Sequence, residues 1–225
     1  MERRSLVVPS LAEAMAEAVR ERILAGEIPG GRAVSEVELA REYEVARPTA
    51  KAAVELLIAA GLLRRSRHKS ARVPEMDQSD VRDVYLARSY LESMAARSLS
   101  TSGTPPRLAQ MSITRLAEMN EVTPVAELVE VDIEFHRSLV DAVDSRRISQ
   151  MHKVIMGEIR LSTAQVQAHH LMERDVIVRE HQEILDRIVD REPGAAVAAS
   201  LSHLEHACSA LMQYLERDEK GRKPG

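Results

Sequence analysis

The stretch from Ser35 to Val73 constrains the fold of this chain more than any other. It reads S-E-V-E-L-A-R-E-Y-E-V-A-R-P-T-A-K-A-A-V-E-L-L-I-A-A-G-L-L-R-R-S-R-H-K-S-A-R-V. Glu36 and Glu38 follow Ser35, and acidic residues suit a helix N-terminus, so a first helix runs to about Tyr43. Proline is tolerated only in the first turn of a helix. Pro48 therefore sets the start of a second helix near Arg47, which runs to Ala60 and is closed by Gly61. Two short apolar strands flanking a basic loop come next. Upstream, Leu11, Met15, Ala18, Val19 and Ile23 recur at helical spacing, which predicts an amphipathic helix over Ser10 to Ala25 with Ser10 as its N-cap. That helix ends at Gly26, and Pro29-Gly30-Gly31 is a turn. Helix, tight turn, helix and basic hairpin form the pattern of a winged helix-turn-helix, a module that lays its second helix in a DNA major groove.

The net charge of -4 would argue against a nucleic-acid partner, but it is unevenly distributed. Residues 1 to 75 carry 13 Lys and Arg against 11 Asp and Glu, whereas the remainder carries 18 against 24. Within the basic part, Arg64, Arg65, Arg67, Lys69 and Arg72 are interrupted by no acid, a local density that attracts phosphates whatever the global charge. Arg67 and Lys69, at the tip, are the wing's candidate DNA contacts. Arg47, Thr49 and Lys51 lie on or beside the N-terminal turn of the second helix, which in this motif faces base edges and phosphates. Val54, Leu57 and Ile58 fall on the other side. Arg and Lys either bond guanine O6 and N7 or neutralise phosphate, and sequence does not separate the two roles. The plainer reading is two surface cations on an ordinary helix.

Pro74 to Asp77 is a short polar connection, which gives a DNA-binding domain over residues 1–75 and a second domain over 76–225. The second is helical throughout in pattern, with helices expected at about Gln78 to Ser100, Pro105 to Glu121, Pro124 to Val143, Arg147 to Ala168, Leu171 to Arg191 and Pro193 to Arg217. Thr123 and Pro124 form an N-cap and N1 pair. The fold class is mainly α: an N-terminal winged helix-turn-helix followed by an all-α bundle of about six helices. One cysteine, Cys208, excludes an internal disulfide. With no apolar run near the roughly 18 residues needed to cross a bilayer and no signal-peptide core after Arg4, a cytoplasmic protein without membrane partners is expected.

Polar residues on apolar stripes point to the chemistry of the second domain. Leu128, Asp132, Phe135, His136, Leu139 and Val143 share one helical face, so Asp132 and His136 point together into the bundle. His181 lies on the stripe Ile177, Ile184, Leu185 and Ile188, and His203 neighbours Ala207 and Leu211, whereas His206 should be exposed. One carboxylate and three imidazoles suit a divalent transition metal, zinc first, with nickel, manganese or iron as alternatives. Each inward histidine could instead be a hydrogen-bonded core residue, and Asp132 and His136 could simply pair with each other. His152 lies near the stripe Ile148, Ile155 and Ile159 as a core or pocket residue, while His169 and His170 read as loop residues.

Two sets of residues carry a family resemblance. Ile23-Leu24-Ala25-Gly26, Gly31, Val34-Ser35-Glu36-Val37-Glu38-Leu39-Ala40 and Val45-Ala46-Arg47 resemble the winged-helix pattern of the GntR family of bacterial transcription regulators. The resemblance implies DNA contacts from Ser35, Arg47 and Lys51. The chain departs from the family at Pro48 to Val54, where Lys51 and Ala52 replace the usual Arg and Glu, and at the wing tip, Ser66 to Ser70, which lacks glycine and so turns less tightly. Asp132-Ile133-Glu134-Phe135-His136, Glu180-His181 and His203 resemble the metal-binding C-terminal (FCD) domain of the FadR subfamily. That domain is implied to hold a metal on the matching Asp and three His, with a small carboxylate effector beside it. Arg88-Ser89-Tyr90-Leu91-Glu92 resembles a motif whose Arg faces the effector pocket; an i,i+4 pair of Arg88 with Glu92 is the other role. The resemblance spans about residues 11 to 216.

The resulting expectation is a ligand-responsive repressor, not an enzyme, that binds a palindromic double-stranded DNA operator as a homodimer. A metal-dependent hydrolase-like enzyme using the Asp and three His, and a regulator whose C-terminal domain only dimerises, are the alternatives.

Overall fold

The computed structural model describes residues 9–65, 70–120, 122–165 and 173–222. The chain divides into two compact units, Met1–Glu75 and Met76–Gly225.

In the first unit α1 spans Leu11–Leu24 and opens with a capping box, in which Ser10 Oγ accepts the Glu13 N–H while the Glu13 carboxylate accepts the Ser10 N–H. Its Met15, Val19 and Ile23 are buried as the spacing requires. After β1 (Ala33–Val34), α2 spans Glu36–Glu42 with Ser35 as N-cap, its hydroxyl accepting from Glu38 N. Glu44 takes a left-handed φ of 52° in the turn, and α3 runs from Arg47 to Ala59 with Pro48 in its first turn. Ala50, Ala53, Val54 and Leu57 of α3 are buried, with α1 and α2 packed against the helix. Burying each of the larger apolar side chains contributes about 1.5–3 kcal/mol.

The strands differ from the sequence expectation. β2 (Ala71–Arg72) pairs antiparallel with β1, Ala33 opposite Arg72 and Val34 opposite Ala71, and Arg64 adds a single bridge to Arg72. Among the described residues the first arm of the wing is thus one residue pair rather than a strand, and the main partner of β2 is a two-residue segment that precedes α2. Two residues are too few to show alternation in sequence. Ser66 to Lys69, including the candidate contacts Arg67 and Lys69, lie outside the described residues, as do His169 and His170.

The second unit contains α4 (Gln78–Ser102), α5 (Arg107–Glu118), α6 (Val125–Asp141), α7 (Arg146–Gln165), α8 (Arg174–Val189) and α9 (Pro193–Arg222). Helix α4 packs along α9 and also meets α6, α7 and α8. Leu99, Ile113, Phe135, Leu139, Ile184, Leu185 and Ile188 form a cluster completed by Ala96, Ala109 and Ala196, whose small size lets the helices approach. At the start of α6 the cap is Pro124 rather than Thr123; the Thr123 hydroxyl instead accepts the Asn120 N–H at 3.1 Å, inside the preceding turn.

Helix α4 begins at a second capping box, where Asp77 Oδ1 accepts from Ser79 N at 2.7 Å and Asp80 N at 2.9 Å, and it ends at Gly103 with φ 67°. Replacing Asp77 by Ala leaves two of its first N–H groups without that acceptor and is expected to cost about 1 kcal/mol. Denaturant titration checks this, and an unchanged midpoint would show that the cap contributes nothing.

Candidate metal centre

Three helices bring the four candidate ligands together. Asp132 and His136 lie one turn apart on α6, His181 comes from the middle of α8 and His203 from α9. One ligand atom from each lies within 4.8 Å of the others. His203 Nε2 is 3.3 Å from both His181 Nε2 and His136 Nε2, while Asp132 Oδ1 is 3.5 Å from His181 Nε2 and 3.7 Å from His136 Nε2. The three imidazoles are buried, and Asp132 retains 22% exposure, which makes it the open side of the cluster.

A second layer fixes which nitrogen of each ring faces inward. His136 Nδ1 is 2.8 Å from Glu92 Oε2 on α4, and His203 Nδ1 is 2.8 Å from Glu180 Oε2 on α8. Donation from Nδ1 to a carboxylate selects the tautomer whose Nε2 carries the lone pair, the arrangement by which metal-binding histidines are oriented. His181 is held differently: its ring stacks on Phe135 with centroids 3.7 Å apart and planes 8° from parallel, and among the described residues its buried Nδ1 has no hydrogen-bond partner. Leaving that N–H unpaired costs about 1–3 kcal/mol, a cost accepted while Nε2 is aimed into the cluster.

Glu92 is the hub of this layer. Arg88 Nε donates to its Oε1 at 2.7 Å, and His152 Nε2 on α7 lies 3.0 Å from the same oxygen. All four of Arg88, Glu92, His136 and His152 are buried. The Arg88 guanidinium also lies over the Tyr85 ring, 4.9 Å from its centroid. Of the two roles open to Arg88, the structure realises the pair with Glu92.

Burial alone would raise the Glu92 carboxyl, but Arg88 and then His136 hold it well below the usual carboxylate range. Asp132 is likewise raised by burial and lowered more strongly by His136, His181 and His203, so it is ionised. Burial depresses His181 well below the ordinary imidazole value, with His203 adding to the effect, and it depresses His203 against the opposing Glu180 hydrogen bond. Burial is also the largest single effect on His136 and lowers it, but Glu92 and Asp132 together outweigh it and the net shift is upward. The donor set is therefore one carboxylate with two imidazoles kept neutral and a third backed by an anion, a composition that fits a divalent cation. Tetrahedral zinc with Zn–N bonds of about 2.0–2.1 Å sets its nitrogens roughly 3.3–3.4 Å apart. The two measured Nε2 separations match that edge, and the Asp132 edges are a few tenths of an ångström longer.

Residues 11–73 match the model of the gntR family of bacterial regulatory proteins and residues 83–206 match the FCD domain. The chain belongs to the GntR family and carries an FCD domain. It is similar to the HTH-type transcriptional regulator YdhC of Bacillus subtilis, at 25% identity over 90% of this chain and 91% of the relative. It is similar also to the transcriptional repressor NanR of Klebsiella aerogenes, at 25% identity over 99% and 93%. Among solved structures, a GntR-type regulator from Rhodococcus sp. RHA1 superposes with a TM-score of 0.65 at 22% identity, covering 96% of this chain and all of that one. That likeness concerns the fold.

In the GntR domain Arg47 and Lys51 are exposed on the first turns of α3, and Thr49 and Ser35 are partly exposed. Ser35 has a structural task as the cap of α2. The basic run is less available than its sequence implies: Arg65 bridges Glu36 at 2.7 Å and Glu55 at 2.5 Å, tying α2 to α3, and Arg72 donates to the Gly31 carbonyl at 2.8 Å. Among the described residues no helix is long and apolar enough to cross a membrane.

In the FCD domain the sequence reading missed Glu92 and Glu180 as the carboxylates behind His136 and His203, and His152 as a further partner of Glu92. For Glu92 a signal existed, since it shares the inward stripe of α4 with Val81, Val84, Arg88 and Leu99. Glu180 also accepts from the exposed His206, at 2.6 Å, so it anchors two histidines of α9. Glu180→Gln is expected to weaken zinc binding by about 10- to 100-fold with the fold retained. Competition against a chelator measures this, and an unchanged affinity would remove Glu180 from the site.

Proposed function

We propose that this GntR-family protein is a repressor that binds a palindromic DNA operator as a homodimer in the cytoplasm and changes its DNA affinity when a small carboxylate binds at a metal-loaded FCD cluster. The observation that carries the metal half is the meeting of three Nε2 atoms and the Asp132 carboxylate, with carboxylates behind two of the imidazoles. Zinc fits best, and nickel, manganese or iron accept the same donors. Asp132, His136, His181 and His203 would hold it. The metal, when bound, supplies a Lewis-acidic coordination position that an effector carboxylate can occupy.

The chain's own residues supply the readout. Glu92 holds Arg88 and His136 with the same carboxylate. An effector carboxylate that draws Arg88 away from Glu92 therefore alters the support of His136 and the packing of α4 against α6. An effector shifts the DNA-binding equilibrium only as far as its affinity for the two states differs. A regulatory role is favoured over catalysis because curated relatives aligned over nearly the whole chain are transcription regulators, several of them named repressors.

In the reading head, Arg47 and Lys51 contact the operator's base edges or phosphates, Thr49 and the Ser35 hydroxyl assist, and Arg67 and Lys69 of the wing add charge. The test uses a palindromic site recovered by in vitro selection with the full chain. Arg47→Ala and Lys51→Ala are each expected to weaken binding and to reduce the slope of log affinity against log salt by about one if the side chain meets a phosphate. Unchanged affinity and slope in both variants would overturn the DNA interface. Loss of metal from His136→Ala and His181→Ala, read by elemental analysis, is the matching expectation for the cluster, and metal content equal to wild type in both would overturn it.

A further inference from the structure

Helix α4 turns Arg88 and Glu92 inward and presents a different face outward. Leu86, Tyr90 and Met94 recur every four residues on it and are 56%, 69% and 55% exposed. Isolated exposed apolar residues are ordinary, but three large ones in a continuous stripe mark an interaction surface. The chain has only five Phe and Tyr residues in all, so placing its most exposed described aromatic at the centre of this stripe is a strong bias toward an interface role.

The flanking charges identify the occupant. Asp83 and Arg97, both exposed, lie seven residues before and seven residues after Tyr90, two helical turns in each direction and on the same face. We propose that this face of α4 pairs antiparallel with the same face of a second copy of the chain, about a two-fold axis at Tyr90. A two-fold contact must be self-complementary, and this stripe is. Tyr90 meets its equivalent, Leu86 meets Met94 of the partner subunit, and Asp83 meets Arg97 of the partner subunit, twice over.

Asp77, the cap at which α4 leaves the connection to the reading head, lies 13 residues before Tyr90. Two antiparallel copies put their α4 caps roughly 39 Å apart along the helix at about 1.5 Å per residue. The Arg88 and Glu92 pair lies on the buried side of the same helix, so a change there reaches the interface through α4 itself.

This inference rests on the homodimer reading and assigns its surface. Sedimentation velocity on the full chain tests it, with circular dichroism as a check that helix content is retained. The wild type is expected to be a dimer and Tyr90→Glu a folded monomer. Asp83→Arg sets like charges opposite each other and is expected to raise the dimer dissociation constant at least about tenfold, while Asp83→Arg combined with Arg97→Asp restores it. A dimer that survives both Tyr90→Glu and Asp83→Arg overturns this surface while leaving the homodimer intact. A monomeric wild type overturns both.

Discussion

Much of the second domain depends on one buried carboxylate. Glu92 has 1% of its surface exposed, and it is tolerable there only because a guanidinium and two imidazoles surround it. Removing a single partner from such a buried charge typically costs about 3–5 kcal/mol, because the remaining charge cannot return to water. The partners come from α4, α6 and α7, so the same contacts that make the charge tolerable fix the register of three helices. They also set the direction of His136 Nε2. The candidate metal centre is in this sense an extension of the packing rather than an addition to it.

This dependence explains what could and could not be read from the sequence. The four candidate ligands were legible because each interrupts an apolar stripe: Asp132 and His136 four apart, His181 among isoleucines, His203 at the edge of an inward face. Helix limits were legible to within a few residues wherever Gly, Pro or a capping residue punctuated them, as at Ser10, Pro48, Gly61 and Asp77. The second layer was not, since Glu92 lies 44 positions before His136 and the pairing is made by tertiary contact, which leaves no period in the chain. The R-x-x-x-E spacing showed a local pair and concealed a shared one. Likewise Arg65 read as a wing cation until α2 and α3 supplied Glu36 and Glu55.

The two arms of Glu92 have different chemistry. One oxygen accepts from Arg88 and the other faces His136 Nδ1, so in the proposed function the first contact would be the one an effector carboxylate competes for and the second the one that orients a metal ligand. Such an anion would be felt at the second contact without any long pathway, within one side chain. By linkage, whatever the anion does to metal affinity the metal does to the anion, and the same reciprocity extends to DNA if α4 carries the change to the reading heads. Helix α4 is suited to that task because it starts at the interdomain connection and meets α6, α7, α8 and α9.

The central claim is that Asp132, His136, His181 and His203 form one metal site. X-ray absorption at the zinc edge, on the full chain loaded with one equivalent of zinc and desalted, tests it most directly. The result expected is retained zinc with imidazole scattering from three histidines and nitrogen and oxygen neighbours at about 2.0–2.2 Å. Zinc lost on desalting, or a first shell without imidazole, would contradict it.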